Sequence, residues 1–243
     1  NVRARCVAAA TGVWSDDIGA MLRPGSGGGP AAGGLRVRAS KGVHLLVPAD
    51  RLTGSAGLIL RTETSVLFVI PWGRHWIVGT TDTDWNLDRA HPAASSQDIR
   101  YLLDQVNRML ADPLSTSDIE GVYAGLRPLL SGESDATSRL SREHAVMAPA
   151  PGLVLIAGGK YTTYRVMAAD LIDAATGELP WVPPSRTEYL PLLGARGFDA
   201  AWAGRGALAA EHGLPVRRVE HLLRRYGTLT GELLALAGQR PEF

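Results

Sequence analysis

Residues 153–165 read Leu153-Val154-Leu155-Ile156-Ala157-Gly158-Gly159-Lys160-Tyr161-Thr162-Thr163-Tyr164-Arg165. The apolar run at its start predicts a short buried strand. A glycine pair follows, and Val166, Met167, Ala169, Leu171 and Ile172 then recur at helical spacing. Strand, glycine turn and helix in this order are the unit of an α/β fold. The same unit can hold an anion. Glycine lets the backbone come close to a ligand, and a helix N-terminus offers unpaired N–H groups at the positive end of its dipole. Lys160 adds a full charge at that point. An ordinary glycine turn carrying a solvated lysine reads the same way, so this stretch alone leaves both alternatives open.

Upstream, residues 3–9 alternate polar and small apolar side chains and are expected to form a strand. Ala10-Thr11-Gly12 makes a tight turn, and Val13 to Ile18 enters a short helix whose first turn suits Asp16 and Asp17. Residues 25–34 consist entirely of Gly, Ser, Pro and Ala. Such a loop buries no core and marks either a domain boundary or a long excursion.

Residues 35–81 carry repeated strand patterns at 35–39, 43–47, 57–61, 66–70 and 76–79, separated by turn residues, which suggests an antiparallel sheet. Residues 96–111 show helical spacing through Ile99, Leu102, Leu103, Val106 and Leu110, with Asp112-Pro113 as the stop. Strand patterns return at 118–126 and 139–147. Past residue 177, Pro180, Pro183, Pro184 and Pro191 mark a linker before helical patterns at 199–211, 215–226 and 230–237.

The bulk composition excludes several classes. Twenty-five Lys and Arg balance 24 Asp and Glu for a net charge of +1, so no global charge favours nucleic acid. Arg217, Arg218, Arg224 and Arg225 form a local basic cluster of the kind usually found on a solvated helix face. The single cysteine, Cys6, fits a reducing, cytoplasmic compartment and allows no disulfide within the chain, and no Cys/His set has metal spacing. No apolar run approaches the ~20 residues of a membrane span. The chain starts at Asn1 rather than Met, and is therefore expected to be a fragment or a processed product.

Several basic residues stand beside turn signals, where side chains reach ligands. His44 follows Lys41-Gly42, Arg127 precedes Pro128, which is expected to end its strand, Arg142 lies in Ser141-Arg142-Glu143-His144, and Lys160 opens the helix described above. Two arginine forks and a lysine would together suit a phosphate or carboxylate. Each of them taken alone is also an ordinary surface residue, and His44 an ordinary strand histidine. The Gly79-Thr80-Thr81-Asp82 cluster is either a hydroxyl-rich turn or the edge of a pocket. Trp72, Trp76 and Trp85 either line a pocket or pack the core.

Taken in order, six segments resemble flavin-dependent glycerol-3-phosphate dehydrogenases. They are Ala9 to Asp17, Ser40 to Pro48, Gly79 to Asp82, Gly125 to Leu129, Ser141 to Glu143 and Gly158 to Arg165. The resemblance is strong from about residue 3 to 176 and weaker beyond. It implies an α/β fold combined with α+β parts. Residues 1–34 and 150–176 would form part of a Rossmann-like FAD-binding domain, 35–149 a mixed or antiparallel-sheet substrate-binding domain, and 177–243 a truncated helical C-terminal domain.

It further implies oxidation of sn-glycerol 3-phosphate to dihydroxyacetone phosphate, with FAD as cofactor and quinone or oxygen as acceptor. His44, Arg127, Arg142 and Lys160 would surround the substrate, with Arg142 at the phosphate, Arg127 and Lys160 near the reacting carbon, and His44 as base. Thr11, Gly12, Gly158, Gly159, Lys160, Tyr161, Thr162 and Thr163 would contact the cofactor. Any membrane contact would be peripheral, and a homodimer stays open.

The chain departs from that family in lacking G-x-G-x-x-G after a first strand, in having Ala9 where Asn is usual, and in its long 25–34 loop. The 243 residues by themselves are therefore expected neither to hold FAD tightly nor to turn over. An amine or amino-acid oxidase of the same fold, and a non-catalytic remnant serving as an interaction module, are the alternatives.

Overall fold

A computed structural model describes residues 3–21, 36–62, 66–130, 143–177 and 179–239. The chain divides between Pro184 and Ser185 into two compact units.

The described residues of the first unit form two sheets. In the smaller, β1 (Val7–Ala9) runs parallel to β9 (Leu153–Gly158), with Ala9 opposite Leu155, and β8 (His144–Ala150) lies antiparallel on the other side of β9. Helix α3 (Tyr164–Thr176) covers this sheet, burying Leu171 against Val154 and Ile156, with Met167 beside them. Because β1 and β9 are parallel, the Gly12 turn and the Gly158-Gly159 turn leave the sheet at the same edge. That carboxyl-terminal edge is where α/β sheets bind ligands.

The larger sheet is antiparallel throughout. Its order is β3 (Leu58–Arg61), β4 (Val66–Trp72), β5 (His75–Gly79), β2 (Val37–Pro48) and β6 (Thr83–Asp84), and β7 (Gly121–Leu130) also pairs with β2. The patterns at 35–39 and 43–47 are thus halves of one 12-residue strand. Its alternation decides which side chains reach the site. Val43, Leu45 and Val47 are wholly buried against Leu102, Leu103 and Val106 of α2 (Ser96–Asn107), while Ser40, Gly42, His44 and Leu46 take the opposite face.

Helix α2 and strand β7 end elsewhere than their sequence suggests. Helix α2 starts at a capping box, in which the Ser95 hydroxyl accepts from the Asp98 N–H and Asp98 accepts from the Ser95 N–H. It stops at Asn107, not at 111. There the Asn107 side-chain amide exchanges two hydrogen bonds with the Leu114 backbone and closes the loop between them. Leu110 still packs on the core from that loop, so apolar periodicity outlasts the helix. Strand β7 does not end at Pro128; it continues to Leu130 with Pro128 paired to Ala39. Proline is tolerated there because, among the described residues, β7 pairs with β2 alone, so the missing N–H can fall on its outer side.

In the second unit, α4 (Phe198–Ala203), α5 (Arg205–Glu211), α6 (Val216–Tyr226) and α7 (Thr230–Gly238) follow one another. The single pattern read at 199–211 is broken at Gly204. Ala209, Val219 and Leu223 form the core of this unit, with Trp202 packed against it and the guanidinium groups of Arg205 and Arg224 over its ring. Among the described residues no helix is long and apolar enough to cross a membrane.

Candidate active site

The outer face of β2 brings two of the expected residues together. In the ladder with β7, Ser40 faces Arg127, Gly42 faces Gly125 and His44 faces Tyr123. On the other side of β2, His44 faces Gly79 of β5. Paired residues share a sheet face. Arg127 therefore reaches diagonally over Gly42 toward the strand that carries His44.

Arg127 is held from the loop that follows β5. One guanidinium nitrogen donates to the Thr80 hydroxyl (2.8 Å), and the other terminal nitrogen donates to the Thr81 carbonyl (3.1 Å). The Thr81 hydroxyl in turn accepts from the Val43 N–H and donates to the Lys41 carbonyl, tying the loop to β2. Asp82 accepts a hydrogen bond from the Ser40 hydroxyl. The Gly79-Thr80-Thr81-Asp82 cluster is thus the clamp that aims Arg127.

His44 is half-buried and stacks on Tyr123, with ring centroids 4.9 Å apart and planes 11° apart. Burial lowers its pKa, and the nearby positive charge of Arg127 lowers it further. The imidazole is thereby kept neutral at neutral pH, as a proton acceptor requires. Burial raises the pKa of Tyr123, which stays a phenol.

Lys160 is exposed at the start of a single helical turn, Tyr161–Thr163, that leads into α3. Tyr161, Thr162 and Thr163 are exposed beside it. The two glycines before it adopt positive φ, 79° and 80°. Each also meets the chain's own atoms: a Cβ at Gly158 would collide with the Glu143 carbonyl oxygen, and one at Gly159 with the Met167 side chain. These glycines therefore serve the close packing of β9 on β8 and α3 as well as the turn.

The Gly158 turn meets the larger sheet through Leu130, three residues beyond Arg127 on β7. The turn at Gly12–Trp14, which leads into α1 (Ser15–Met21), touches β2, β7 and β9. Thr11 and Gly12 thus lie where the two sheets come together. Arg142, the expected phosphate ligand, lies outside the described residues, as does the 25–34 loop.

Tyr123, stacked on His44, and Ser40, bonded to Asp82, are neighbours of the candidate site that sequence reasoning missed. The available signal was register: His44 in a strand needs neighbours on both sides, and strands 76–79 and 118–126 were already visible. The tryptophans divide. Trp76 is buried in the core, Trp72 is exposed, and Trp85 lies 5.0 Å from the Lys41 ammonium and lines a cavity of about 450 Å³ beside α2 with Lys41, Asp98 and Tyr101. His44 and Arg127 do not line that cavity. Among the described residues, no cluster of His, Cys, Asp or Glu could hold a metal ion.

Comparison with known proteins gives consistent matches. The family model of FAD dependent oxidoreductases matches residues 1–165, and that of the C-terminal domain of alpha-glycerophosphate oxidase matches residues 185–242. Glycerol-3-phosphate dehydrogenase 2 of Mycobacterium tuberculosis is 59% identical over 241 residues, which cover 99% of this chain and 40% of the relative. The human mitochondrial glycerol-3-phosphate dehydrogenase is 34% identical over 98% of this chain and 32% of its own. A crystal structure of the glycerol-3-phosphate dehydrogenase from Bacillus halodurans complexed with FAD superposes with a TM-score of 0.81 and 30% identity, covering 96% of this chain and 45% of that one. The chain therefore spans less than half the length of these relatives.

Proposed function

This chain belongs to the FAD-dependent oxidoreductase family, and we propose on that premise that the whole protein oxidises sn-glycerol 3-phosphate to dihydroxyacetone phosphate with FAD as cofactor. The observation that carries the reading is the pairing of Arg127 with a neutral, half-buried His44 on one sheet face. The names of the relatives supply the substrate.

The residues present fit part of the cofactor's cradle. The Gly12 and Gly158-Gly159 turns leave parallel strands at one edge, and a helical turn opens with exposed side chains just beyond the second. Gly12, Gly158, Gly159 and Lys160 to Thr163 would hold the flavin end, with Thr11 beside them. N–H groups at the start of that turn favour negative charge on whatever they face. The chemistry FAD supplies when bound is acceptance of the hydride from C2.

The chain's own groups do the rest. His44 takes the proton of the C2 hydroxyl as the carbon–hydrogen electron pair departs, leaving a carbonyl. Arg127 and Lys160 stabilise negative charge growing on that oxygen, and Arg142 binds the phosphate through a guanidinium fork. The Thr80 and Thr81 acceptors fix the guanidinium of Arg127 before substrate arrives, so little reorganisation is needed.

The proposal extends to domain roles. Residues 1–34 and 150–176 belong to the FAD-binding domain, 35–149 bind substrate, and 177–243 form a helical appendage. Electrons leave for a quinone reached at a membrane surface, a choice favoured by relatives named dehydrogenases.

The experiment is glycerol 3-phosphate oxidation by the full-length protein with a dye acceptor, beside Lys160→Ala and Arg142→Ala and with oxygen uptake followed in parallel. Activity that collapses in both variants while FAD stays bound supports the reading. Turnover of an amine or amino acid in place of glycerol 3-phosphate overturns the substrate, and rapid oxygen uptake overturns the quinone.

A further inference from the structure

We propose that Tyr123 is a positioning residue for His44, holding the imidazole plane by ring stacking from the neighbouring strand. This deepens the reading above and rests on it for the reaction, though not for the geometry.

Catalytic histidines are usually oriented through the ring nitrogen that does not react, by a hydrogen bond to a carboxylate or carbonyl. His44 departs from that arrangement. Its Nδ1 is buried and has no hydrogen-bond partner among the described residues. The ring must therefore be oriented by packing. Two neighbours provide it, one on each side of β2.

Gly79 has no side chain, so the imidazole leans over it: a Cβ there would stand 2.8 Å from His44 Cγ. Tyr123 lies on the opposite flank with its ring nearly parallel to the imidazole, 4.9 Å between centroids. Gly79 leaves room for one orientation, and Tyr123 blocks the swing away from it. With Nδ1 buried, Nε2 is the nitrogen left to meet a substrate hydroxyl.

Tyr123 contributes little to the core. It is 45% exposed, and the side chains buried beneath the sheet come from the alternate positions of β2, β4 and β5 together with α2. A phenol at such a position is spare for folding and available for work on its neighbour. Among the described residues, the groups that face His44 are few. Arg127 and Tyr123 come from β7, Gly79 of β5 brings no charge, and Asp82 is engaged by Ser40. Lys41 and Asp98 pair with each other on the other side of β2. Removing the Tyr123 ring would expose the imidazole and leave the charges around it unchanged, which moves its pKa upward.

The test uses the full-length, FAD-loaded protein with Tyr123→Phe and Tyr123→Leu. Phenylalanine keeps the stacked ring, so kcat and the acid limb of the kcat/KM profile should both stay at their wild-type values. Leucine should lower kcat by about tenfold or more, since loss of orientation weakens proton transfer. Its KM should stay within about threefold, as the Arg127 clamp is untouched, and its acid limb should move to higher pH with FAD content unchanged.

The same proteins carry a second readout, NMR titration of the His44 ring. Leucine should raise its pKa and remove the ring-current shift, and phenylalanine should do neither. Wild-type kcat and pH profile in Tyr123→Leu would overturn the proposal. So would an equal loss in Tyr123→Phe, which would assign the effect to the hydroxyl, or a loss of kcat and FAD together with an unmoved acid limb. If the wild-type protein does not oxidise glycerol 3-phosphate, the functional reading fails on its own. The NMR titration then decides the positioning role: a raised His44 pKa in the leucine variant sustains it, and an unchanged one ends it.

Discussion

The guanidinium of Arg127 lies in the space that a side chain at Gly42 would take. A Cβ on that glycine would stand 2.7 Å from Cζ and 2.8 Å from Nη1 of the arginine. The two are diagonal neighbours across the β2–β7 ladder, and the glycine lets the cation lie down against the sheet under Thr80 and Thr81.

Gly42→Ala should therefore displace Arg127 from its acceptors. We expect kcat/KM for glycerol 3-phosphate to fall by roughly 10- to 100-fold in the full-length protein, as misplacement of a charged group beside the reacting atoms does elsewhere. Gly125 sits directly opposite Gly42, yet a Cβ there would meet nothing within 4 Å. Gly125→Ala is the control and should keep nearly full activity. Steady-state kinetics on the pair separates a steric effect on Arg127 from a general effect of alanine in the ladder.

Arg127→Gln should shift the pH profile as well as lower the rate. Burial first, and the Arg127 charge second, hold the His44 pKa below its ordinary value. Without that charge the pKa rises, so at any acidic pH less of the imidazole is neutral. The acid limb of kcat/KM should move to higher pH, with a loss at the plateau of about 10²–10³ from the missing cation. An acid limb that stays in place in a folded, FAD-loaded variant would count against His44 as the base.

On the α2 side of β2, Lys41 and Asp98 form an ion pair of 2.6 Å with both side chains more than nine-tenths buried. Burial alone would raise the Asp98 pKa. Hydrogen bonds from Lys41 and from the Ser95 hydroxyl and N–H outweigh it, and the net shift is downward. The stability linked to this carboxylate is present above the ordinary Asp range and is lost as pH falls through the lowered value. Asp98→Leu leaves the Lys41 ammonium buried without its partner and should cost about 3–5 kcal/mol. Lys41→Met combined with Asp98→Leu should recover most of that. Urea unfolding of the wild type and both variants measures both quantities.

Gly158→Ala combines a φ of 79° with a collision against the Glu143 carbonyl and contact at 3.0 Å with Leu130 Cγ. It should destabilise the turn by about 1–3 kcal/mol. The melting temperature and the flavin absorbance of the purified full-length protein should fall together.

Much of this was legible in the residues. The strand, glycine pair and helix at 153–176 lie where the pattern predicts, because apolar run length, turn chemistry and helical spacing are local properties. The alternation of β2 also marks Val43, Leu45 and Val47 as buried and puts His44 on the other face. Local signals misled where a distant partner intervened. Pro128 would end an isolated strand, but β2 carries β7 past it. Helical spacing continues to Leu110, but Asn107 is drawn off to Leu114.

The chain by itself thus determined where most strands and helices lie and which residue types stand ready for chemistry. It also carried the ordered motifs by which its family can be recognised. Tertiary structure alone decided that His44 stacks on Tyr123, that Arg127 lies over Gly42 beneath Thr80 and Thr81, and that β1 runs parallel to a strand at the far end of the unit. The physical reason is range. Periodicity and capping act over a few neighbouring residues. Strand register and ring stacking depend on which distant segments meet, and that is set by burying the whole core at once.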